Sequence, residues 1–230
     1  MTSSMSRWPG QCAVCRSWDR GRLCRSCLQR FAALRPRCLR CAAPLPAEQP
    51  ACGACVRESP AFDEAVAAVD YAYPWDRLLT DLKFHGALDL CDPFARLLAG
   101  AIDARAGPPV DWILPVPLSD ERIAERGFNQ AWEVARRLRN GGRANATLLA
   151  RVRNTPHQLA LPREQRAANV KNAFMVEPSR ATLLNGADVA VVDDVLTTGA
   201  TLTEIAGVLR RCGVRRVRAW VVARTPAHAE

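Results

Sequence analysis

Two sets of residues in this 230-residue chain have types and spacings suited to chemistry: a frame of cysteines near the start and an acid pair followed by a threonine–glycine run near the end. Eight of the ten cysteines form four CxxC pairs, Cys12/Cys15, Cys24/Cys27, Cys38/Cys41 and Cys52/Cys55, separated by eight, ten and ten residues. A CxxC knuckle lets two thiolates converge on one metal ion, and two knuckles complete a tetrahedral four-cysteine site. Four knuckles therefore supply ligands for two structural zinc ions, with no coordination position left open for catalysis. Pairing of neighbours gives Cys12, Cys15, Cys24, Cys27 and then Cys38, Cys41, Cys52, Cys55; a cross-braced pairing is the alternative that spacing leaves open. Disulfides fit poorly with a chain that starts without a secretory signal. A redox CxxC belongs near a βαβ pattern, which is absent in this stretch, and iron–sulfur ligation stands behind zinc as the remaining alternative. Cys91 and Cys212 have no CxxC partner and read as small apolar residues. His85, His157 and His228 form no ligand spacing.

The second set is VAVVDDVLTTGAT, residues 189–201. Its order is an apolar strand, an acid pair, a short apolar step, and a small-residue loop opening a helix. A parallel strand delivers its carboxyl end to a ligand crevice. In the loop Thr197, Thr198, Gly199, Ala200, Thr201, backbone N–H groups can surround a phosphate, and the helix behind turns its positive dipole end toward that anion. Gly199 allows close backbone approach. Asp193 and Asp194 end the strand beside the loop, at a reach suited to adjacent sugar hydroxyls.

The elements that must position these groups follow from periodicity. Residues 62–73 have strand character, 75–86 read as a short helix with Leu78, Leu79 and Leu82 on one side, and 92–105 as a helix with a stripe of Phe94, Leu97, Leu98, Ala101 and Ile102. Residues 111–117 read as a buried strand running into a loop. Residues 127–140 read as a helix with Phe128, Trp132, Ala135 and Leu138 facing a core. Strands are expected at 146–152, 172–177, 188–194 and 214–223, and a helix at 200–212. Strands alternating with helices imply an α/β fold with a parallel sheet and right-handed crossovers. The expected division is a cysteine-rich double zinc ribbon over 1–59 and an α/β domain over 60–230.

The run 189–201 resembles the phosphoribosyl pyrophosphate (PRPP) signature of type I phosphoribosyltransferases, with Ala190 where the pattern usually carries a bulkier residue. LPVPLSDERIAERGFNQ (114–130), LKFHG (82–86) and HQLALPREQRAANVKNAF (157–174) are similar to segments of the ComF family, and together with the cysteine frame the resemblance covers nearly the whole chain. It implies a type I phosphoribosyltransferase-like fold preceded by zinc ribbons. It implies that Asp193 and Asp194 hold the ribose 2′- and 3′-hydroxyls and that residues 197–201 bind the 5′-phosphate. Val116 and Pro117 stand in the place of the pyrophosphate-binding loop, with Arg126 and Asn129 as candidate polar contacts. Gln158, Arg166, Asn169 and Lys171 lie where such enzymes have a loop that closes over PRPP. Lys83 is a candidate to face the site, although a lone lysine is ordinarily a surface residue. The chain runs seven residues past the last expected strand, so residues 60–90 are expected to supply any hood over the site.

Hydrophobic residues make up 49% and charged residues 24%, the balance of a globular protein. No run approaches the roughly 18 apolar residues of a membrane helix, so membrane insertion is not expected and the default location is the cytoplasm. The formal net charge is +9, and residues 1–59, with ten Lys/Arg against three Asp/Glu, hold +7 of it. A basic amino-terminal face suits single-stranded DNA, for which Trp8 and Trp18 offer stacking faces, while small-domain packing is the plainer use. Two function classes follow. One is a phosphoribosyltransferase that displaces pyrophosphate from PRPP with Mg²⁺, its acceptor unnamed by the sequence. The other is a catalytically silent PRPP or nucleotide sensor, or a scaffold. The family resemblance adds a role in DNA uptake during natural transformation or in DNA utilisation, with DNA-uptake proteins as partners.

Overall fold

A computed structural model describes residues 10–47, 49–153 and 170–226. Trp8, His157, Gln158, Arg166, Asn169 and His228 lie outside them. The cysteine-rich region comprises β1 (Gly10–Gln11), β2 (Trp18–Asp19), α1 (Arg25–Phe31) and α2 (Gly53–Arg57). Then follow β3 (Glu64–Asp70), α3 (Trp75–His85), α4 (Cys91–Ala104), β4 (Trp112–Pro115), α5 (Asp120–Arg126) and α6 (Gln130–Ala135). The remainder is β5 (Arg143–Ala144), β6 (Leu149–Arg151), β7 (Phe174–Val176), β8 (Asp188–Leu196), α7 (Ala200–Arg211) and β9 (Arg216–Arg224).

The central sheet is parallel with strand order β3-β9-β8-β4-β5, so β8 sits at its middle. Strands β3, β4, β8 and β9 are buried along most of their length, as burial from two sides requires, while the edge strand β5 is exposed. Alternation sorts the side chains: Val189 and Val191 of β8 pack with α7 through Leu202, Ile205 and Leu209, while Ala190 and Val192 pack with α3, α4 and α6 through Leu82, Phe94 and Val134. The α/β expectation holds, with two corrections. Strands expected at 146–152 and 172–177 do not join the parallel sheet; β6 and β7 pair antiparallel with each other, Leu149 opposite Val176 and Arg151 opposite Phe174. Leu149 and Phe174 pack into the α7 side of the core, so this strand pair is apolar for a reason other than membership of the main sheet.

The helix expected over 127–140 is the other correction. Gly127, at φ +76°, ends α5 instead of opening a helix, and Asn129 is the N-cap of the short α6. The helix α5 falls in what reads from sequence as a loop. It buries none of its residues, so it has no apolar stripe to betray it.

The cysteine-rich region covers the outer edge of β3. Ala65 N–H donates to Leu39 O at 3.0 Å and the Arg40 guanidinium to Asp63 O at 3.3 Å. Asp70, ending β3, is held by Arg35 at 2.7 Å and Arg37 at 2.8 Å, and Trp75 Nε1 donates to Phe31 O at 2.9 Å. The outer edge of β3 thus has one backbone N–H, that of Ala65, paired with the cysteine-rich region, and its last side chain held by two arginines. No helix among the described residues is long and apolar enough to cross a membrane.

Candidate functional site

The carboxyl end of β8 opens into a cavity of about 220 Å³ whose lining includes Asp193, Asp194, Thr197, Gly199, Ala200 and Thr201. Successive strand residues point to opposite faces, so the two acids differ in surroundings. Asp194 is 5% exposed. Its Oδ2 accepts from Lys83 Nζ at 2.8 Å and from Gln130 Nε2 at 3.2 Å. Burial acts to raise this carboxyl, but the Lys83 ammonium and the Gln130 amide outweigh it and hold Asp194 below the usual carboxylate range. Asp193 accepts the Asp194 N–H at 2.9 Å. Burial and the neighbouring Asp194 charge push its carboxyl up to about 8. The two neighbouring carboxyls are thus driven in opposite directions, and Lys83 has its own pKa raised because the attraction of Asp194 exceeds the penalty of burial.

Lys83 belongs to the last full turn of α3, and Tyr71, Thr80 and Phe84 beside it also line the cavity. From the stretch 60–90, Tyr71, Thr80, Lys83 and Phe84 contribute to the cavity lining. The surface reading of Lys83 is corrected: α3 packs Leu78, Leu79 and Leu82 on the sheet, and this delivers Lys83 inward to the acid pair.

Directly after the acids, the loop from Leu196 to Gly199 leads from β8 into α7. Gly199 sits at φ +85°, a conformation that glycine adopts without steric cost. The Thr198 hydroxyl accepts the Ala200 N–H at 3.4 Å; Thr198 is not among the cavity-lining residues, whereas Thr197 and Thr201 are. Arg224 pins the loop from behind, donating to Leu196 O at 2.9 Å, Thr197 O at 2.7 Å and Cys41 O at 2.8 Å. With those carbonyls engaged, the loop and the first turn of α7 are left with N–H donors to offer an anion.

The remaining wall is cationic. Arg122 and Arg126 reach it from α5 and Arg151 from β6. Burial and the neighbouring Arg122 bring Arg151 down to about 10, and burial together with Arg126 lowers Arg122. Lys83 and these three arginines face two carboxylates, so the cavity suits a polyanion that carries hydroxyls. Val116 lines it, while Pro117, Asn129 and Lys171 are not among its lining residues. Asn129 is spent on architecture: its Oδ1 accepts from Ala131 N–H at 2.9 Å and Trp132 N–H at 3.2 Å, and its Nδ2 donates to Val116 O at 3.0 Å. It thereby fixes α6, which carries Gln130, against the turn after β4.

The cysteines gather as neighbours and not cross-braced: Cys12, Cys15, Cys24, Cys27 and Cys38, Cys41, Cys52, Cys55, with each set of four sulfurs within 4.8 Å of one another. Metal–sulfur bonds of about 2.3 Å place the corners of a tetrahedron about 3.8 Å apart. The Sγ atoms of Cys15 and Cys24 lie 3.6 Å apart and those of Cys41 and Cys52 lie 3.7 Å apart. Backbone N–H groups of Cys24, Cys27 and Cys52 donate to Cys12, Cys24 and Cys38 sulfurs at 3.2–3.4 Å, as suits thiolates. Burial and the crowding of neighbouring sulfurs raise the Cys27 and Cys55 thiols; a cation among the sulfurs relieves that crowding. Both clusters fit a four-thiolate metal site.

Sequence reasoning missed Gln130, Arg122, Arg151 and Arg224. Arg122 had a findable signal, since Ser119 followed by Asp120 and Glu121 and closed by Gly127 marks a helix without need of apolar periodicity. The others depend on tertiary contacts.

The sequence profile described as "Phosphoribosyl transferase domain" matches residues 123–230. Over 229 aligned positions the chain is 33% identical to the DNA utilization protein YhgH of Salmonella typhi, spanning 94% of this chain and 98% of that protein. It is 33% identical over 210 positions to Competence protein F of Haemophilus influenzae, spanning 88% and 90%. Among solved structures, a hypoxanthine-guanine phosphoribosyltransferase from Bacillus anthracis aligns over 60% of this chain and 68% of its own at 13% identity and a TM-score of 0.36, too distant to bear on function.

Proposed function

The chain belongs to the ComF family of competence and DNA utilization proteins, and from that premise we propose that its cavity binds PRPP or a nucleotide. The observation that carries this reading is that an acid pair, a helix-start loop and a cluster of cations line one cavity together. Asp193 and Asp194 accept hydrogen bonds from the ribose diol. Residues 197–201 take the 5′-phosphate on N–H and hydroxyl donors. Val116 backs the pyrophosphate, with Arg126, Arg122 and Arg151 supplying positive charge. Mg²⁺ bound to the pyrophosphate would supply charge neutralisation beside Arg122, Arg126 and Arg151. The two cysteine clusters hold one zinc each, closed and structural. Residues 1–59 and 60–230 act as two units, the first offering a basic surface to single-stranded DNA. That binding should weaken steeply as salt rises in a mobility-shift titration; indifference to salt would reject it.

Mixing the protein with PRPP, Mg²⁺ and a panel of free bases, and following pyrophosphate release, tests the enzymatic form of the reading. Release that requires one base makes the protein a transferase. PRPP binding with no release under any base makes it a sensor, and absence of PRPP binding leaves the fold as a scaffold.

A further inference from the structure

The two cysteine clusters do not stand in the same relation to the cavity. The region of the first reaches α3, where Trp75 Nε1 donates to Phe31 O at 2.9 Å. The second reaches the loop before α7, and one side chain makes the connection. Arg224, the last residue of β9, donates through Nε to Cys41 O at 2.8 Å and through Nη1 to Leu196 O at 2.9 Å and Thr197 O at 2.7 Å. A single planar guanidinium thus ties the backbone carbonyl of a cluster cysteine to two carbonyls of the loop.

Apolar packing runs alongside. Ala42, next to Cys41, is fully buried and sits at φ +56°, a left-handed conformation that alanine seldom takes unaided. The knuckle holds it there: Ala42 N–H donates to Cys38 O at 2.9 Å, and Ala42 O accepts from Arg37 Nη1 at 3.0 Å. Ala42, Phe62 and Leu196 belong to one core cluster. A Cβ at Gly199 would stand 3.7 Å from the Phe62 ring, so that ring backs the loop's glycine at ordinary packing distance.

The position of Cys41 O depends on what gathers the four sulfurs. Cys38 and Cys41 lie on one knuckle and Cys52 and Cys55 on the other, with 3.7 Å between the sulfurs of Cys41 and Cys52. Thiolates this close repel one another unless a cation lies among them, and their separation opens the turn that carries Cys41 O. We propose that Arg224 is a positioning residue through which the metal at the second cluster sets the loop 196–199, so that filling of this cluster and binding of an anion at the loop favour each other. The identity of the anion rests on the PRPP reading above; the link between cluster and loop does not. The first cluster takes no part in it.

Amide hydrogen exchange of residues 196–201, followed by mass spectrometry in the zinc-loaded, ligand-free full chain, tests the link. Exchange there should be about tenfold faster or more in Arg224→Gln than in wild type, the mark of easier local opening. Cys52→Ala removes a ligand of the second cluster without altering Cys41; it should lose one zinc and show the same increase. Cys15→Ala should lose one zinc from the first cluster and leave exchange at 196–201 as in wild type. A chromogenic chelator should draw one of the two zincs from wild type more slowly when PRPP and Mg²⁺ are present, and PRPP should make no difference to zinc release from Arg224→Gln. Arg224→Gln that is folded by circular dichroism and exchanges at 196–201 like wild type overturns the proposal, as does an equal increase in Cys15→Ala. If Cys52→Ala does not fold, exchange and zinc release in Arg224→Gln decide. If calorimetry shows no binding of PRPP to wild type, the reading of the anion fails and the exchange comparison alone decides the link.

Discussion

At the scale of single residues, the account turns on two neighbouring acids that the fold treats differently. Asp194 is tied to Lys83 and Gln130, and Asp193 is pushed up to about 8 by burial and by Asp194. A carboxyl whose pKa is higher folded than unfolded keeps a proton that the unfolded chain has released. Its contribution to stability is therefore complete below about pH 4 and is lost as pH rises toward 8. Urea unfolding of the ligand-free protein at pH 5 and pH 8 should show lower stability at pH 8, and Asp193→Asn should flatten the difference. A variant with the same pH dependence as wild type would show that Asp193 is ionised throughout. The acids themselves were legible, because an apolar strand that ends in two carboxylates before a small-residue loop has few structural uses. Their partner Lys83 was not. Nothing local in LKFHG distinguishes an inward lysine from a solvated one; the inward direction follows only once Leu78, Leu79 and Leu82 are packed on the sheet.

At the scale of elements, what could be read depended on how much apolar surface each element buries. The strand β8 and helices α3, α4 and α7 were legible to within a few residues because each presents a regular apolar pattern. The helix α5 was missed because it buries nothing, and strands were expected at β6 and β7 without a partner because strand character does not specify one. The break at Gly127 gives Asn129 two tasks, capping α6 and tethering Val116 O. Asn129→Ala should cost about 1–2 kcal/mol, the range for loss of a helix cap. Asn129→Asp keeps the capping oxygen and loses only the donor, so its cost should be the smaller of the two. Urea denaturation of the three proteins checks the order; an alanine variant as stable as wild type would remove Asn129 from the positioning of Gln130.

At the scale of the whole molecule, the cysteine-rich region and the sheet depend on each other. The region has little core beyond its sulfurs, and it covers the exposed edge of β3 while Arg224 links Cys41 O to the loop before α7. Metal analysis should find about two zinc atoms per chain. Removing them with a chelator should lower the thermal midpoint and uncover the β3 edge, seen as concentration-dependent association. Protein without zinc, its thiols joined as disulfides, would contradict this. The central claim is that Asp193 and Asp194 form the sugar end of a PRPP site. Its most direct test is calorimetric titration of PRPP with Mg²⁺ into wild type and into Asp193→Ala/Asp194→Ala, with circular dichroism as the control for folding. The account predicts measurable binding by wild type and a folded double variant that binds at least tenfold more weakly, as the loss of hydrogen bonds to charged groups implies. A folded double variant that binds PRPP as tightly as wild type would contradict it.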